Sequence, residues 1–258
     1  MRNAGAMLAM GIVLIGMLAG FKTIEDNKIF STVTEISTPP NVPPLSTEAA
    51  NELTCTNLYD SLDLAAAGLS KEAFRYAWFG FQKAGFSKSI LAIADFSQSS
   101  RNKRLYVIDF LNQKVLLNTY VAHGRNSGQE YASKFSNVNS SYQSSLGFYK
   151  GLGTYQGKHG LSLRLQGLEK NINDQALERA IVMHGADYVS EDFIRQTGRL
   201  GRSLGCPAVS QAEHQQLIKL LQNGAGLFLY YPDAQYLNRS KILHQALVPA
   251  HSLEPSNS

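Results

Sequence analysis

The hydrophobic pattern has a helical period near the start of the folded region. Over residues 71–84 large apolar side chains recur at three- and four-residue steps, which predicts a helix with one buried face. Ser70 stands at the expected N-cap, and Gly85 follows the last apolar position. The sequence SQAE at 210–213 is a second helix start, and it precedes apolar steps that end at Gly224.

Other parts of the chain have the pattern of β-strands. Short runs rich in branched and aromatic residues, bounded by polar or glycine-containing segments, lie at 90–96, 104–110, 115–122, 180–184 and 227–231. Strands in clusters, rather than in regular alternation with helices, favour an antiparallel arrangement. The sequence therefore predicts an α+β domain with a mainly antiparallel, sandwich-like β-sheet, an N-terminal helical segment and flanking helices.

Both ends of the chain are predicted to lie outside this domain, which spans 48–248. Within residues 1–22, Arg2 precedes a long uncharged stretch. This pattern predicts a signal peptide or an inner-membrane anchor. The domain is therefore expected in the periplasm or cell envelope. Residues 23–47 hold four of the eight prolines and predict an extended linker, and 249–258 predict a flexible tail.

Composition narrows the class of protein. Hydrophobic residues make up 44% of the 258, which is enough for a buried core, and charged residues only 17%. The net charge of +4 is spread along the chain without a long basic run, so a nucleic-acid partner is not expected. The sequence lacks the histidine and cysteine spacings typical of metal sites, and we expect neither a metal nor another cofactor.

The two cysteines indicate either a disulfide or a reactive thiol. In an exported protein an even number first suggests a bridge between Cys55 and Cys206. Cys206, however, lies in the glycine-rich sequence GRSLGCPA, with Arg199 and Arg202 close by in sequence. Exposed amides and guanidinium charge at such a turn lower a thiol pKa and can hold an oxyanion. Cys206 is therefore the predicted nucleophile.

A thiol nucleophile needs a base, and six histidines are available. His184 is the predicted base because it ends an apolar strand, where the carbonyl of Gly185 can orient its ring. The alternative is a structural histidine at a strand end. His123 and His159 also precede glycines and are rival bases or substrate contacts. The remaining three are expected on the surface: His214, His244 and His251.

Several segments carry a family resemblance in their order and spacing. They are HG at 184–185, SLGC at 203–206, SSLGFY at 144–149 and GLFLYY at 226–231. Together they resemble the L,D-transpeptidases of the YkuD type, and especially the divergent murein L,D-transpeptidase catalytic-domain family. Two features depart from the common pattern. Pro207 and Ala208 follow the cysteine in place of an aliphatic residue and Arg or Asn, and Leu204 occupies a position often taken by His.

The resemblance implies a cysteine enzyme that remodels cell-wall peptidoglycan. The Cys206 thiolate would be acylated at the L-to-D peptide bond of a stem peptide, and an amine of a second stem would then form a cross-link. His184 would be the base, with Gly185 holding its ring, while Gly205 and Ser203 shape the loop and the oxyanion site. Substrate contacts are expected from Arg202, Tyr149, His159, His123 and Arg125.

Two alternatives stay open on the sequence alone. Hydrolysis of the thioester would make the protein an L,D-carboxypeptidase that uses the same residues. A disulfide between the two cysteines would make it a non-catalytic wall-binding module. GRSLG at 201–205 matches a serine nucleophile elbow, but it lacks the strand before it and the acid and histidine after it.

The sequence does not indicate the oligomeric state. Aromatic candidates for a peptide groove are Tyr142, Phe148, Tyr149, Tyr155 and Tyr188.

Overall fold

The computed structural model describes residues 46–247. The predictions for the leader at 1–22, for the tail at 249–258 and for nearly all of the linker at 23–47 lie outside the described residues. Among the helices that are described, none is both long enough and apolar enough to cross a bilayer.

Six helices and eight strands follow one another in this range. The helices are α1 (Thr47–Ser61), α2 (Lys71–Lys83), α3 (Glu191–Thr197), α4 (His214–Leu221), α5 (Ala234–Arg239) and α6 (Lys241–Leu247). The strands are β1 (Ile90–Asp95), β2 (Leu105–Asp109), β3 (Lys114–Thr119), β4 (Gly147–Gly157), β5 (Gly160–Gly167), β6 (Val182–Gly185), β7 (Ala208–Val209) and β8 (Gly226–Tyr230).

All eight strands belong to one sheet, in the order β3-β2-β1-β8-β4-β5-β6-β7. Five of the neighbouring pairs are antiparallel, and two are parallel, β1 with β8 and β6 with β7. The predicted α+β class and the mainly antiparallel pairing are confirmed. The second parallel pair lies at the sheet edge and positions the candidate site.

Both faces of the sheet are buried, because alternate side chains of each central strand enter different cores. On β1, Leu91 and Ile93 pack on one face, toward α1 and α2, whereas Ala92 and Ala94 pack on the other, toward α4. The same alternation continues on β2, β4 and β8. The sheet is therefore a rigid middle layer between helices.

Local signals in the sequence account for much of this architecture. The Ser70 hydroxyl accepts a hydrogen bond from the Ala73 amide at 3.1 Å and caps α2 at its predicted start. Gln113 adopts a φ of 47° at the turn between β2 and β3, the left-handed conformation that a tight hairpin turn requires. The helix predicted after Ser210 begins at His214, because residues 211–213 form a turn before it.

The β4–β5 hairpin contains the two longest strands and was not predicted as strands. β4 packs against α2 at one point of close approach, where Gly80 faces the ring of Phe148. That ring stacks on Phe228 with centroids 4.1 Å apart. A Cβ at position 80 would lie 2.0 Å from a carbon of the Phe148 ring, so only glycine allows this helix-to-sheet distance.

We predict that Gly80→Ala destabilises the fold despite the higher helix propensity of alanine. The propensity gain is about 1 kcal/mol, and overpacking a rigid core typically costs about 1–3 kcal/mol. A ring clamped between α2 and β8 has little room to move, so a net loss of about 1–2 kcal/mol in the free energy of unfolding is expected. Urea denaturation followed by circular dichroism measures it.

Gly153→Ala is the matched control, because nothing lies within 4 Å of a Cβ at that position. Its free energy of unfolding should stay within about 0.5 kcal/mol of the wild type. Equal stability of the two variants would contradict the packing of α2 on β4.

Candidate active site

Strand pairing brings the predicted base and nucleophile together. β6 and β7 run parallel, with His184 opposite Ala208. Cys206 comes two residues before Ala208 and so lies diagonally across from His184 at the same sheet edge. The Cys206 thiol donates weakly to the Ala180 carbonyl at 3.9 Å, and the Val182 backbone lies close enough to lower its pKa. Both side chains line one cleft.

The His184 ring is held in a defined tautomer. Its Nδ1 lies 2.9 Å from the Gly185 carbonyl oxygen, which can only accept, so Nδ1 carries the proton. Nε2 of the neutral ring is then free to accept a proton. Position 185 is glycine for a packing reason, because a Cβ there would lie 2.4 Å from Oε1 of Gln211 and 3.0 Å from the His214 ring.

Burial keeps the His184 imidazole neutral. The side chain is almost inaccessible, and desolvation lowers its pKa below the ordinary value. The Gly185 hydrogen bond opposes this shift, and the nearby positive or titratable groups of His159, Lys158 and His214 add to it. His184 is therefore a neutral base at pH 7.

The ring of His159 covers the ring of His184. The two centroids are 4.4 Å apart with planes inclined by 23°. His159 is exposed at the tip of the β4–β5 hairpin, so it contacts the predicted base and faces the cleft.

The three histidines expected on the surface have different outcomes. His244 is exposed as expected, but His214 is buried on α4, contrary to the prediction, and His251 lies outside the described residues.

The Cys206 thiol is free and half-buried. Desolvation raises its pKa, whereas the Val182 amide and the charge of Arg179 lower it. The net shift is upward, so the lowered thiol pKa predicted from the glycine-rich loop is wrong. That prediction counted exposed amides and nearby arginines, but it could not include the burial of the sulfur between strands.

The loop before Cys206 is held in shape by hydrogen bonds between its own residues. Gly205 has a φ of 128°, and a Cβ there would lie 2.9 Å from the Gln143 carbonyl. Its amide donates to the Ser203 hydroxyl at 3.0 Å, and that hydroxyl donates to the Cys206 carbonyl at 2.6 Å. Ser203 therefore braces the turn, and the Gly205 amide is occupied.

The Cys206 amide has no hydrogen-bond partner among the described residues. The turn is also tied to the segment resembling the family pattern, because the Ser144 hydroxyl donates to the Gly205 carbonyl at 3.1 Å and accepts from the Gly124 amide at 3.0 Å. The backbone at the predicted nucleophile, Cys206, is thus fixed from two sides.

The cleft that Cys206 and His184 both line has a volume of about 510 Å³. Its lining includes three cationic side chains, Lys158, Arg179 and Arg202, and among the described residues that line it there is no aspartate or glutamate. Leu204 is exposed at its rim. The electrostatic field of the cleft therefore favours an anionic ligand.

Sequence reasoning missed Arg179, and of the aromatic candidates it named only Tyr149 as a substrate contact. Arg179 comes three positions before the first residue of the strand of His184, and a charged residue close to a buried strand was the available signal. Tyr155 and Tyr188 line the cleft. Burial raises the pKa of Tyr188 to about 12, so its hydroxyl stays protonated.

Two predicted substrate contacts lie inside the protein instead. Tyr149 is fully buried on β4, and its hydroxyl donates to the Ser145 carbonyl at 3.0 Å. His123 is also fully buried, where Nδ1 accepts from Arg104 at 2.8 Å. Burial and the Arg104 charge lower the pKa of His123 to about 3. Neither side chain lines the cleft, so the structure does not support these two predictions.

The two predicted arginines have separate environments. Arg202 lines the cleft, and its Nη1 donates to the carbonyls of Arg125 and Gly128 at 2.9 and 3.0 Å. Arg125 is exposed beside the cleft and stacks 4.1 Å over the ring of Tyr142. Arg202 is therefore placed to meet a ligand, whereas Arg125 is not among the residues lining the cleft.

The two cysteines lie in different cores. Cys55 is buried on α1, where burial raises its pKa to about 12, and it is not bonded to Cys206. The bridge on which the module alternative depends is absent from the described residues. Across residues 46–247 no three His, Cys, Asp or Glu side chains form a group suited to a metal.

These environments predict the pH dependence of Cys206 alkylation. We expect the rate of reaction with iodoacetamide to rise with an apparent pKa above about 8.5, the ordinary thiol value, because burial is the largest influence on the thiol. Peptide mapping should place the label on Cys206 and leave Cys55 unmodified in the folded chain. An apparent pKa well below 8.5 would contradict the placement of the sulfur.

Comparison with known proteins bears on the family. Solved structures of L,D-transpeptidases from Mycobacterium smegmatis and Stackebrandtia nassauensis are similar to this chain at 13% and 16% identity. The matches cover 56% and 62% of this chain and 59% and 68% of the other chains, with TM-scores of 0.35 and 0.32. The chain thus spans about three fifths of the length of the first structure. No curated protein matches.

A protein-family model covers more of this chain than the solved structures do. The family model described as L,D-transpeptidase catalytic domain matches residues 65–230. This range contains β1 to β8 and every residue of the cleft. Because the match extends over more than half of the chain, this protein belongs to the family of L,D-transpeptidase catalytic domains.

Proposed function

We propose that this protein remodels peptidoglycan as a cysteine L,D-transpeptidase. The observation that supports this most strongly is the pairing of a free thiol with an imidazole of fixed tautomer in one cationic cleft. Cys206 is the nucleophile and His184 the base, and Gly185 fixes the ring through its carbonyl. The amine that completes the reaction comes from a second stem peptide.

The first half-reaction forms a thioester. Nε2 of His184 takes the thiol proton as Sγ of Cys206 attacks the carbonyl carbon of the L-to-D peptide bond. A neutral thiol and a neutral imidazole are the resting forms, since burial raises the pKa of one and lowers that of the other. Proton transfer is therefore coupled to attack on a bound substrate.

The developing oxyanion needs a hydrogen-bond donor at the nucleophile. The Cys206 amide supplies it, because the Gly205 amide is already bonded to Ser203. Protonated His184 then gives its proton to the leaving nitrogen of the D-residue, and the C–N bond breaks. The Gly185 carbonyl stabilises the imidazolium while it exists.

The second half-reaction transfers the acyl group. The acceptor amine attacks the thioester carbon, passes a proton to Nε2 of His184, and releases the Cys206 thiolate, which regains that proton. Water in place of the amine gives an L,D-carboxypeptidase with the same residues. Product analysis distinguishes the two reactions.

The charge of the cleft agrees with a stem peptide as substrate. Such peptides carry free carboxylates, and the positive side chains of Arg202 and Lys158 lie where they can pair with them. His159, exposed over His184, can also contact the peptide. Peptidoglycan lies outside the cytoplasmic membrane, so the proposal includes export of the domain to the periplasm or envelope through the leader at 1–22.

Mass analysis of defined muropeptides tests this function. Full-length protein incubated with tetrapeptide donors and tripeptide acceptors should yield cross-linked dimers and release one D-residue per bond. Cys206→Ala should abolish both products. His184→Gln should lower the rate by about 10²–10⁴-fold, the usual contribution of a general base.

Cys55→Ala serves as the matched control, because it removes the other thiol, which lies in a separate core. It should retain the product pattern. Loss of one residue without dimers would assign the carboxypeptidase reaction instead. Unchanged products from Cys206→Ala would refute the nucleophile.

A further inference from the structure

Arg179 has an unusual environment for an arginine at a cleft. It is half-buried three positions before the start of β6, and its Nη1 donates to the Ser136 carbonyl at 2.8 Å and to the Ser145 hydroxyl at 2.6 Å. Its Nη2 donates to the Gln143 carbonyl at 2.6 Å and to the Ser141 hydroxyl at 3.3 Å. The guanidinium is thus fixed by four partners.

All four partners are neutral, so the positive charge is not compensated. The ion pairs found within residues 46–247 are Arg75 with Glu52 and Arg195 with Asp192, and neither involves Arg179. A half-buried charge is also screened less by salt and water than an exposed one. Its field therefore acts on groups inside the cleft.

The nearest part of the active-site loop is at the nucleophile itself. A Cβ built on Gly205 would lie 3.3 Å from Nη2 of Arg179, and Gly205 directly precedes Cys206. Arg179 and Cys206 both line the cleft. The segment that Arg179 binds also contacts this loop, since Ser144 donates to the Gly205 carbonyl.

We propose that Arg179 is a positioning residue that supplies the fixed positive charge which stabilises the Cys206 thiolate. This inference rests on the proposed function, in which that thiolate forms during each half-reaction. The sequence pointed to Arg199 and Arg202 for this charge because they lie close to Cys206 along the chain. In the fold, Arg199 donates to the Leu200 carbonyl and Arg202 to those of Arg125 and Gly128.

The electrostatic effects agree with this assignment. Burial raises the pKa of Cys206 and lowers that of Arg179. The Val182 backbone and the charge of Arg179 oppose the shift of Cys206, and Tyr149 and Cys206 oppose the shift of Arg179. Arg179 therefore offsets part of the desolvation that makes the thiolate unfavourable. Without it, ionisation of Cys206 would depend on the Val182 amide and on transfer to His184.

Alkylation of Cys206 in the full-length protein tests the proposal without substrate. Arg179→Gln should raise the apparent thiol pKa by about one unit, the lower end for loss of a nearby opposite charge. The iodoacetamide rate at pH 7.5 should then fall about tenfold. Arg179→Lys keeps the charge but not the four bonds, and it should recover more than half of that loss.

Two further variants separate charge from structure. Ser145→Ala removes one partner of the guanidinium and leaves its charge, so the melting temperature should fall while the alkylation rate stays within twofold. Arg195→Gln removes an exposed cation from α3 and should leave the rate unchanged. If Arg179→Gln does not fold, the Lys and Ser145 variants still distinguish the two roles.

Three results would overturn the proposal. They are a rate within twofold of the wild type in Arg179→Gln, equal slowing in the Gln and Lys variants, or equal slowing in Arg195→Gln. Because the assay measures thiol ionisation and not turnover, these results would leave the muropeptide test of the proposed function unaffected. If the Arg179 variants show the expected shifts in thiol pKa but the wild type forms no muropeptide products, the proposed function is refuted and the assignment of the charge to Arg179 is supported.

Discussion

The parallel pairing of β6 with β7 is the constraint on which the candidate site depends. β7 has only two residues, yet Ala208 is held on both sides, by His184 of β6 and by Ala122, whose amide donates to the Ala208 carbonyl at 2.8 Å. The chain between His184 and Cys206 includes α3 and two turns, and alone it would not bring them together. The sheet edge fixes their separation.

Burial at that edge sets the protonation states of Cys206 and His184. Desolvation raises the thiol pKa and lowers the imidazole pKa, so both groups rest in neutral forms. Such a pair needs help to separate charge when a substrate binds. In the proposed reaction, the Gly185 carbonyl stabilises the imidazolium, the Val182 amide and Arg179 stabilise the sulfur, and the Cys206 amide binds the oxyanion. The site is therefore poised for charge separation within a cleft whose overall field is positive.

Sequence reasoning found the parts of the fold whose signals are local. The N-cap at Ser70 and the apolar strands correspond to α2, β1, β2, β3, β6 and β8. It missed the β4–β5 hairpin, because the glycines, lysines and polar side chains of its far end do not alternate like a buried strand. Those residues pair within the hairpin and extend beyond the core.

In the candidate site, too, sequence reasoning found the residues with local signals and missed those that only the fold brings together. The motifs identified Cys206, His184 and Gly185 because each lies in a short recognisable segment. Motifs could not distinguish buried from exposed members of one residue type. Tyr149 and His123 are enclosed by distant parts of the chain, whereas His159 and Tyr155 lie at the cleft. Arg179 is 27 positions before the cysteine, and only strand pairing places it beside the nucleophile loop.

The most direct test of the account is peptide-mapping mass spectrometry of full-length protein mixed briefly with a tetrapeptide stem in the absence of an acceptor. The account predicts a tripeptidyl thioester on Cys206, formed far more slowly in His184→Gln. An acyl group on any other residue, or an equal rate of acylation without the imidazole, would contradict the pairing of these two side chains.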